Sequence, residues 1–167
     1  MINTSIRRAL VLSSLVLGAT TLFSEKAMAD TVTLGGTVAS TLTLVTTPTA
    51  AASNLPLSTG TRQIVQVADL AISTNNEQGY TLTATSGSLT KVGGTPIAYQ
   101  VTTTADAVPA VAGTFTIASG TPYTNPSTAA NAVGTGGLDL HIMYTPAALQ
   151  DPGAYAGIIT VTVADNS

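Results

Sequence analysis

Hydrophobic and polar residues alternate along most of the chain after residue 30, which is the pattern of β-strands with one apolar face. The segment LDLHIMY, residues 138–144, shows it most clearly. Turns rich in Pro or Gly separate further alternating segments at residues 63–73, 80–86, 97–103, 114–119 and 154–164. Within the first of these, the alternation changes phase after Val67, which predicts a β-bulge near Ala68 and Asp69. No helical period of comparable strength is present, so the pattern predicts an all-β fold in the form of a sandwich.

The longest alternation is the segment DTVTLGGTVASTLTLV, residues 30–45. As a single strand it would span about 45 Å at roughly 3.3 Å per residue, whereas strands in compact domains usually have about 5–6 residues. Two interpretations are open. The segment is either two strands in one register, of which only the second packs at home through Leu42 and Leu44, or one bent edge strand that crosses both sheets of its own sandwich.

The first 29 residues have the features of a secretory signal peptide. Arg7 and Arg8 are followed by an apolar run at residues 9–23 and by the small-x-small cleavage site AMA at residues 27–29. The apolar run is shorter than the roughly 20 residues of a membrane span. We therefore predict cleavage before Asp30, export through the periplasm to the cell surface or the extracellular space, and no membrane insertion afterwards.

Charge and composition exclude several classes of partner. Residues 30–167 carry two basic and seven acidic side chains, for a net charge of −5. Such a chain has no basic surface for nucleic acid and little attraction to anionic membranes. Because the chain contains no cysteine, core packing and strand pairing must stabilise the fold without disulfides.

Few residues could support chemistry. His141 is the only histidine, and Asp139 precedes it by two residues on the same face of a predicted strand. That face is polar, so we interpret the pair as solvent-facing residues rather than as a base with its orienting carboxylate. The sequence has no G-x-S-x-G nucleophile motif, no phosphate-binding loop and no set of metal ligands. It therefore predicts no enzyme activity and no catalytic, cofactor or metal site.

The end of the sequence carries a resemblance to a known family. In LDLHIMYTPAALQDPGAYAGIITVTV, an alternating strand ends in Tyr144, a loop contains Pro152, Gly153 and Tyr155, and a final alternating strand follows. This arrangement resembles the C-terminal region of chaperone–usher pilins and of the related spore-coat-U-like fimbrial subunits. The segment TVTLGGTVASTLTLV is similar to the donor extension and first strand of such subunits. The cysteine pair that commonly ties their first two strands is absent here.

The resemblance implies an incomplete immunoglobulin-like β-sandwich at residues 39–167, completed by donor-strand exchange. Residues 30–38 would be the donor strand. Val32, Leu34 and Val38 would fill the groove of the next subunit, and Gly36 would fit a narrow pocket in it. The implied partners are further copies of the chain in a head-to-tail homopolymer, a periplasmic chaperone and an outer-membrane usher. The expected function is that of a structural subunit of a bacterial surface fibre, a pilus or fimbria.

A second function class fits the same sequence. A self-complete sandwich could act as a monomeric secreted binding module or adhesin, for example for glycans, through the breaker-rich segment at residues 120–137. Tyr123 lies in this segment and is the one aromatic ring predicted to be exposed. Tyr80, Tyr99 and Tyr144 follow the alternation of their strands and are predicted to be in the core.

Overall fold

The computed structural model describes residues 31–127 and 136–167. The predicted signal peptide lies outside the described residues, as does the part of the predicted binding segment at residues 128–135. The chain divides into two units at the bond between Thr37 and Val38. In the first unit, residues 31–37 form no helix or strand and are exposed. The second unit contains all the secondary structure of the described residues.

Eight strands and two short 3-10 helices make up the second unit. The strands are β1 (Leu42–Pro48), β2 (Gln63–Thr74), β3 (Tyr80–Ala84), β4 (Gly87–Leu89), β5 (Ile97–Ala105), β6 (Tyr123–Ser127), β7 (Gly136–Tyr144) and β8 (Val161–Asp165). The 3-10 helices are Ala50–Ser53 and Ala112–Thr114. Among the described residues, no helix is long and apolar enough to span a membrane.

The strands form two antiparallel sheets, which confirms the all-β, sandwich-like fold. A five-stranded sheet has the order β1-β2-β7-β5-β4, and a three-stranded sheet has the order β6-β3-β8. The strand β7 lies in the middle of the larger sheet, between β2 and β5. The predicted bulge is present in β2, whose register with β7 shifts between Gln66 and Ala68.

The apolar faces of the strands pack into one core. Leu70 and Ile72 of β2 and Leu82 of β3 are almost completely buried. Burying each of these side chains stabilises the fold by roughly 1.5–3 kcal/mol. The three tyrosines predicted for the core, Tyr80, Tyr99 and Tyr144, are all buried. The core is therefore built from the period-two positions that the sequence marks as apolar.

Several predicted boundaries are wrong. Residues 120–137 include the strand β6, whose Pro126 is tolerated because β6 pairs only with β3 and a strand at a sheet edge can lack an amide donor. Residues 114–119 form no strand, since Thr114 ends a 3-10 helix and residues 115–119 are irregular. The last strand begins at Val161 and not at residue 154. The short strand β4 was not predicted, because three residues are too few to show a period.

Candidate functional site

One edge of each sheet is free along the same side of the second unit. In the described part of the chain, β1 pairs only with β2, and β8 pairs only with β3. The two strands contact each other across the gap between the sheets. Their outer backbone groups form no ladder, so this side of the sandwich can accept a further strand.

A cleft of about 280 Å³ lies between these two edges. Its lining is almost wholly apolar and comes from both sheets and from the connection after β1: Thr46, Pro48, Ala52, Leu55, Val67, Ala68, Leu89, Tyr99, Leu140, Ile142, Gly157, Ile159 and Val161. The floor contains fully buried core residues such as Leu140 and Ile142. The cleft therefore gives direct access to the core of the sandwich.

The buried polar side chain of the cleft, Tyr99, has its hydrogen-bond partner within the fold. The hydroxyl of Tyr99 donates a hydrogen bond of 3.0 Å to the carbonyl of Ile158. Burial raises the pKa of Tyr99, so this hydroxyl keeps its proton at neutral pH. In the described residues, no buried side-chain nitrogen or oxygen lacks a hydrogen-bond partner. An occupant of the cleft therefore gains from apolar contact and from the free strand edges, not from recognition by polar side chains.

The strand edges that frame the cleft carry apolar residues that are only partly covered. Leu42 and Leu44 on β1 and Ile159, Val161 and Val163 on or before β8 pack against the core but are not fully buried. The packing of Leu42 and Leu44 against their own core is as predicted for the second half of the N-terminal alternation. Ile159, Val161 and Val163 alternate along the chain, and their exposed parts could pack against the side chains of a neighbouring strand.

At one end, the two edges are joined by a group of hydrogen bonds, which we call the clasp and define as Ser40, Thr41, Thr74, Asn75 and Asp165. The amide of Thr41 donates to Asn75 Oδ1 at 2.8 Å, and Asn75 Nδ2 donates to the carbonyl of Ala39 at 2.8 Å. The hydroxyls of Ser40 and Thr74 both donate to the carboxylate of Asp165. The cleft lies at the other end, where Pro48 ends β1 and Val161 begins β8.

The predicted donor residues are exposed. Val32, Leu34 and Val38 are 83%, 90% and 87% exposed. A Cβ added at Gly36 would have no atom within 4 Å. Residues 31–41 form no strand, and β1 begins at Leu42. The chain therefore does not form one continuous edge strand from residue 30 to residue 45.

The polar pair on β7 is buried, which corrects the expectation that it faces solvent. Asp139 and His141 are only 4% and 5% exposed. The connection between β5 and β6 covers this outer face of the larger sheet. The amide of Ala107 in that connection donates to Asp139 Oδ2 at 3.0 Å, and His141 Nδ1 lies 3.5 Å from Thr104 Oγ1. Among the described residues, no three metal-ligating side chains come together, so the pair is part of the packing between sheet and connection.

We expect Asp139→Asn to increase the free energy of unfolding at pH 7. Burial raises the pKa of Asp139, the Ala107 amide lowers it, and nearby Asp106 and Asp69 raise it, with the net shift upward. The ionised form therefore costs stability as the pH rises above the unfolded pKa of about 3.9. Urea denaturation at pH 7 and near pH 4 measures the effect, and the gain should shrink at the lower pH.

Asp165→Asn is the matched control with the opposite sign. Hydrogen bonds from Ser40 and Thr74 lower the pKa of Asp165. Its carboxylate therefore stabilises the fold above pH 4, and this contribution is lost as the pH falls through its lowered pKa. A pH-independent difference for Asp139→Asn, or a loss of stability at pH 7, would contradict the assignment of Asp139 as a desolvated carboxylate.

A larger concavity of about 660 Å³ lies elsewhere on the second unit and is less suited to a ligand. Arg62, Gln100 and Gln150 contribute to its wall. The amide nitrogen of Gln100 donates to the carbonyl of Ile117 at 2.6 Å, and that of Gln150 donates to the carbonyl of Thr95 at 2.9 Å. The amides of Gln100 and Gln150 are therefore used within the fold.

The exposed ring expected at Tyr123 is also absent. Tyr123 lies on β6, is only partly exposed, and packs against the core. Its hydroxyl lies 2.9 Å from Thr103 Oγ1. The ring is therefore partly covered by the core and not fully exposed as predicted.

Comparisons with protein-family models, with curated proteins and with solved structures each found no match. The functional interpretation consequently depends on the cleft, the free strand edges and the N-terminal segment. Of the residues that form the cleft, the alternation identified Ile159, Val161 and the core positions of β7. It did not identify Ala52 and Leu55, which lie in and after a 3-10 helix within an irregular connection.

Proposed function

We propose that the protein is an exported structural subunit of a bacterial surface fibre, and that it polymerises by strand addition without enzyme activity. One observation carries the proposal: the same chain has an open apolar cleft between two free strand edges and an exposed, alternating apolar segment that pairs with no strand of the described residues. Strand addition uses backbone hydrogen bonds for affinity and alternate side chains for specificity.

The two surfaces match in spacing. The positions Val32, Leu34, Gly36 and Val38 would extend over about 20 Å in a strand, at roughly 3.3 Å per residue. The edge row Ile159, Val161 and Val163 repeats at the same two-residue interval over about 13 Å. A donor strand of this length would cover the whole row and the cleft beyond it, and Gly36 would fit where the walls approach most closely.

The direction of the added strand follows from the two ends of the cleft. Within the second unit the chain enters at the clasp, β1 runs from the clasp to the open end, and β8 runs back to the clasp. In a head-to-tail contact, the clasp of one copy meets the open end of the next. The donor segment of the first copy then enters the cleft of the next copy from the open end. Residue 30 lies deepest, and the segment runs antiparallel to β8 of the acceptor.

A second copy is the proposed acceptor, and not the chain's own sandwich. To fill its own cleft, the segment would have to reverse at Ala39 and Ser40, directly before β1. The clasp holds these residues through the Ala39 carbonyl and the Ser40 hydroxyl. A head-to-tail contact of this kind does not close on itself, so it produces a filament.

The proposed partners before assembly follow from the open cleft. A subunit with an exposed apolar core would aggregate unless another protein covered the cleft. A periplasmic chaperone would fill this role, and an outer-membrane usher would exchange it for the donor segment of the next subunit. The monomeric binding module remains the alternative that the following measurement excludes or favours.

A synthetic peptide of residues 30–40 should bind the chain that lacks residues 30–38 and raise its melting temperature. The peptide supplies the missing strand to the cleft and stabilises only the folded state, by about 2.7 kcal/mol at a hundredfold excess over its dissociation constant. Differential scanning calorimetry with increasing peptide measures the shift.

A scrambled peptide of the same composition is the control, because it keeps hydrophobicity and loses the alternation. Two results together would overturn the proposal and favour the monomeric binding module. The wild-type protein would stay monomeric at high concentration in size-exclusion chromatography, and the peptide would not change the melting temperature of the truncated chain.

A further inference from the structure

We infer that the clasp positions the base of the donor segment and thereby speeds its addition to the next subunit. The inference rests on the proposed function and assigns Asn75, Ser40 and Asp165 as positioning residues. None of the three lines the cleft, so their role is on the donor side of the contact and not on the acceptor side.

The contacts of the clasp hold a part of the chain that has no core of its own. Ala39 and Ser40 are exposed and belong to no strand. Asn75 nevertheless accepts from the Thr41 amide and donates to the Ala39 carbonyl, both at 2.8 Å. Ser40 donates from the other side to Asp165. Because the Thr41 amide and the Ala39 carbonyl are exposed, water could satisfy them equally well. The hydrogen bonds from Asn75 are therefore not needed to satisfy buried backbone groups, and their effect is to restrict the backbone at residues 39–41.

The same turn also holds the end of β8. Asn76 Nδ2 donates to the carbonyl of Asn166, and the amide of Asn166 donates to the carbonyl of Gly79 at 3.1 Å. The side chain of Asn166 accepts from Thr81 Oγ1 at 2.6 Å and donates to the carbonyl of Gln78 at 2.8 Å. The β2–β3 turn therefore contacts both residues 39–41, which directly follow the donor segment, and the end of β8.

A fixed base reduces the cost of strand addition. A donor that starts from a free linker loses more conformational freedom on binding than one whose base is already held. When Asn75 is replaced, residues 39–41 lose two anchors at once. We expect Asn75→Ala to slow addition about tenfold, which corresponds to roughly 1.4 kcal/mol.

Two readouts on the chain from residue 30 to residue 167 test the inference. The chain has no cysteine, so Thr37→Cys accepts a single spin label next to the clasp, and its mobility reports on the base. The initial rate of monomer loss in size-exclusion chromatography reports on addition. Asn75→Ala should raise the label's mobility and slow addition. Asn75→Asp, which keeps only the acceptor for the Thr41 amide, should give an intermediate result.

Two controls separate positioning from damage to the fold. Asn125→Ala removes the hydrogen bond that Asn125 Nδ2 on β6 donates to Thr103 Oγ1 on β5, outside the clasp, and should change neither readout. Asn75→Ala in a chain without residues 30–38 should bind the donor peptide as tightly as the parent does, because its cleft is intact. A variant with a damaged sandwich would bind the peptide weakly.

Each remaining outcome counts against the inference. An unchanged label in Asn75→Ala shows that the clasp does not hold the base. If the spin label becomes more mobile but the rate of monomer loss does not change, then holding residues 39–41 does not speed strand addition. A wild-type protein that forms no polymer overturns the proposed function and the rate effect together, while the label still decides whether the clasp holds the base.

Discussion

Removal of residues 30–38 should abolish polymer formation and leave the melting temperature of the remaining chain unchanged. Residues 31–38 are exposed and form no strand, so the home core loses nothing when they are removed. If Val32, Leu34 and Val38 fill the cleft of a neighbouring copy as proposed, that copy would lose three apolar side chains, each worth roughly 1.5–3 kcal/mol when buried. Electron microscopy and a thermal melt of the truncated chain measure the two expectations.

A variant of full length separates the role of the side chains from that of chain length. Val32→Ser, Leu34→Ser and Val38→Ser in one chain keep the backbone donors and acceptors but remove the apolar contacts. This variant should also fail to form fibres. Fibres from the truncated chain would exclude the donor role, and a truncated chain that melts far lower would show that residues 30–38 belong to a self-complete sandwich.

The alternation predicted the core well because a strand with one buried face shows its environment directly in the sequence. Leu82 on β3 and Leu140, Ile142 and Tyr144 on β7 are buried as their pattern requires. These positions lie in regular strands between paired neighbours. A period of two is then enough to assign the face that each side chain occupies.

The same pattern was misleading on the outer face of the larger sheet. Asp139 and His141 were assigned to solvent because polar residues alternate with the core positions. In the structure the connection between β5 and β6 covers them, and Thr102 beside them donates to the carbonyl of Thr114 at 3.2 Å. The cover is an irregular segment with no period, so the sequence gives no sign of where it packs.

The cleft was only partly predictable for a similar reason. The row Ile159, Val161 and Val163 follows from alternation, but a free edge is defined by the strand that is missing beside it. That absence depends on the sheet order, in which β1 and β8 each have one neighbour in the described part of the chain. The N-terminal segment shows the complementary case: residues 31–38 have the alternation of a strand but form none in the described part of the chain.

Leu34→Asp should eliminate strand addition without changing the stability of the monomer, whereas Leu34→Ala should only weaken it. Leu34 is 90% exposed in the single chain, so neither substitution alters the home core. In the cleft of a neighbouring copy, alanine would bury less apolar surface than leucine, so we expect the affinity of the peptide to fall about 10- to 100-fold. An aspartate there would be an unpaired charge among mainly apolar walls, and the cost of removing its carboxylate from water exceeds the free energy that the other contacts contribute. Isothermal titration of the truncated chain with three peptides of residues 30–40, carrying Leu, Ala or Asp at position 34, measures the order of affinities. A thermal melt of the full-length variants supplies the control.

Two outcomes would contradict this prediction. If the peptide with Asp at position 34 binds as tightly as the peptide with Leu34, then Leu34 contacts no apolar cleft. If Leu34→Asp destabilises the monomer, then Leu34 lies in the core of its own sandwich.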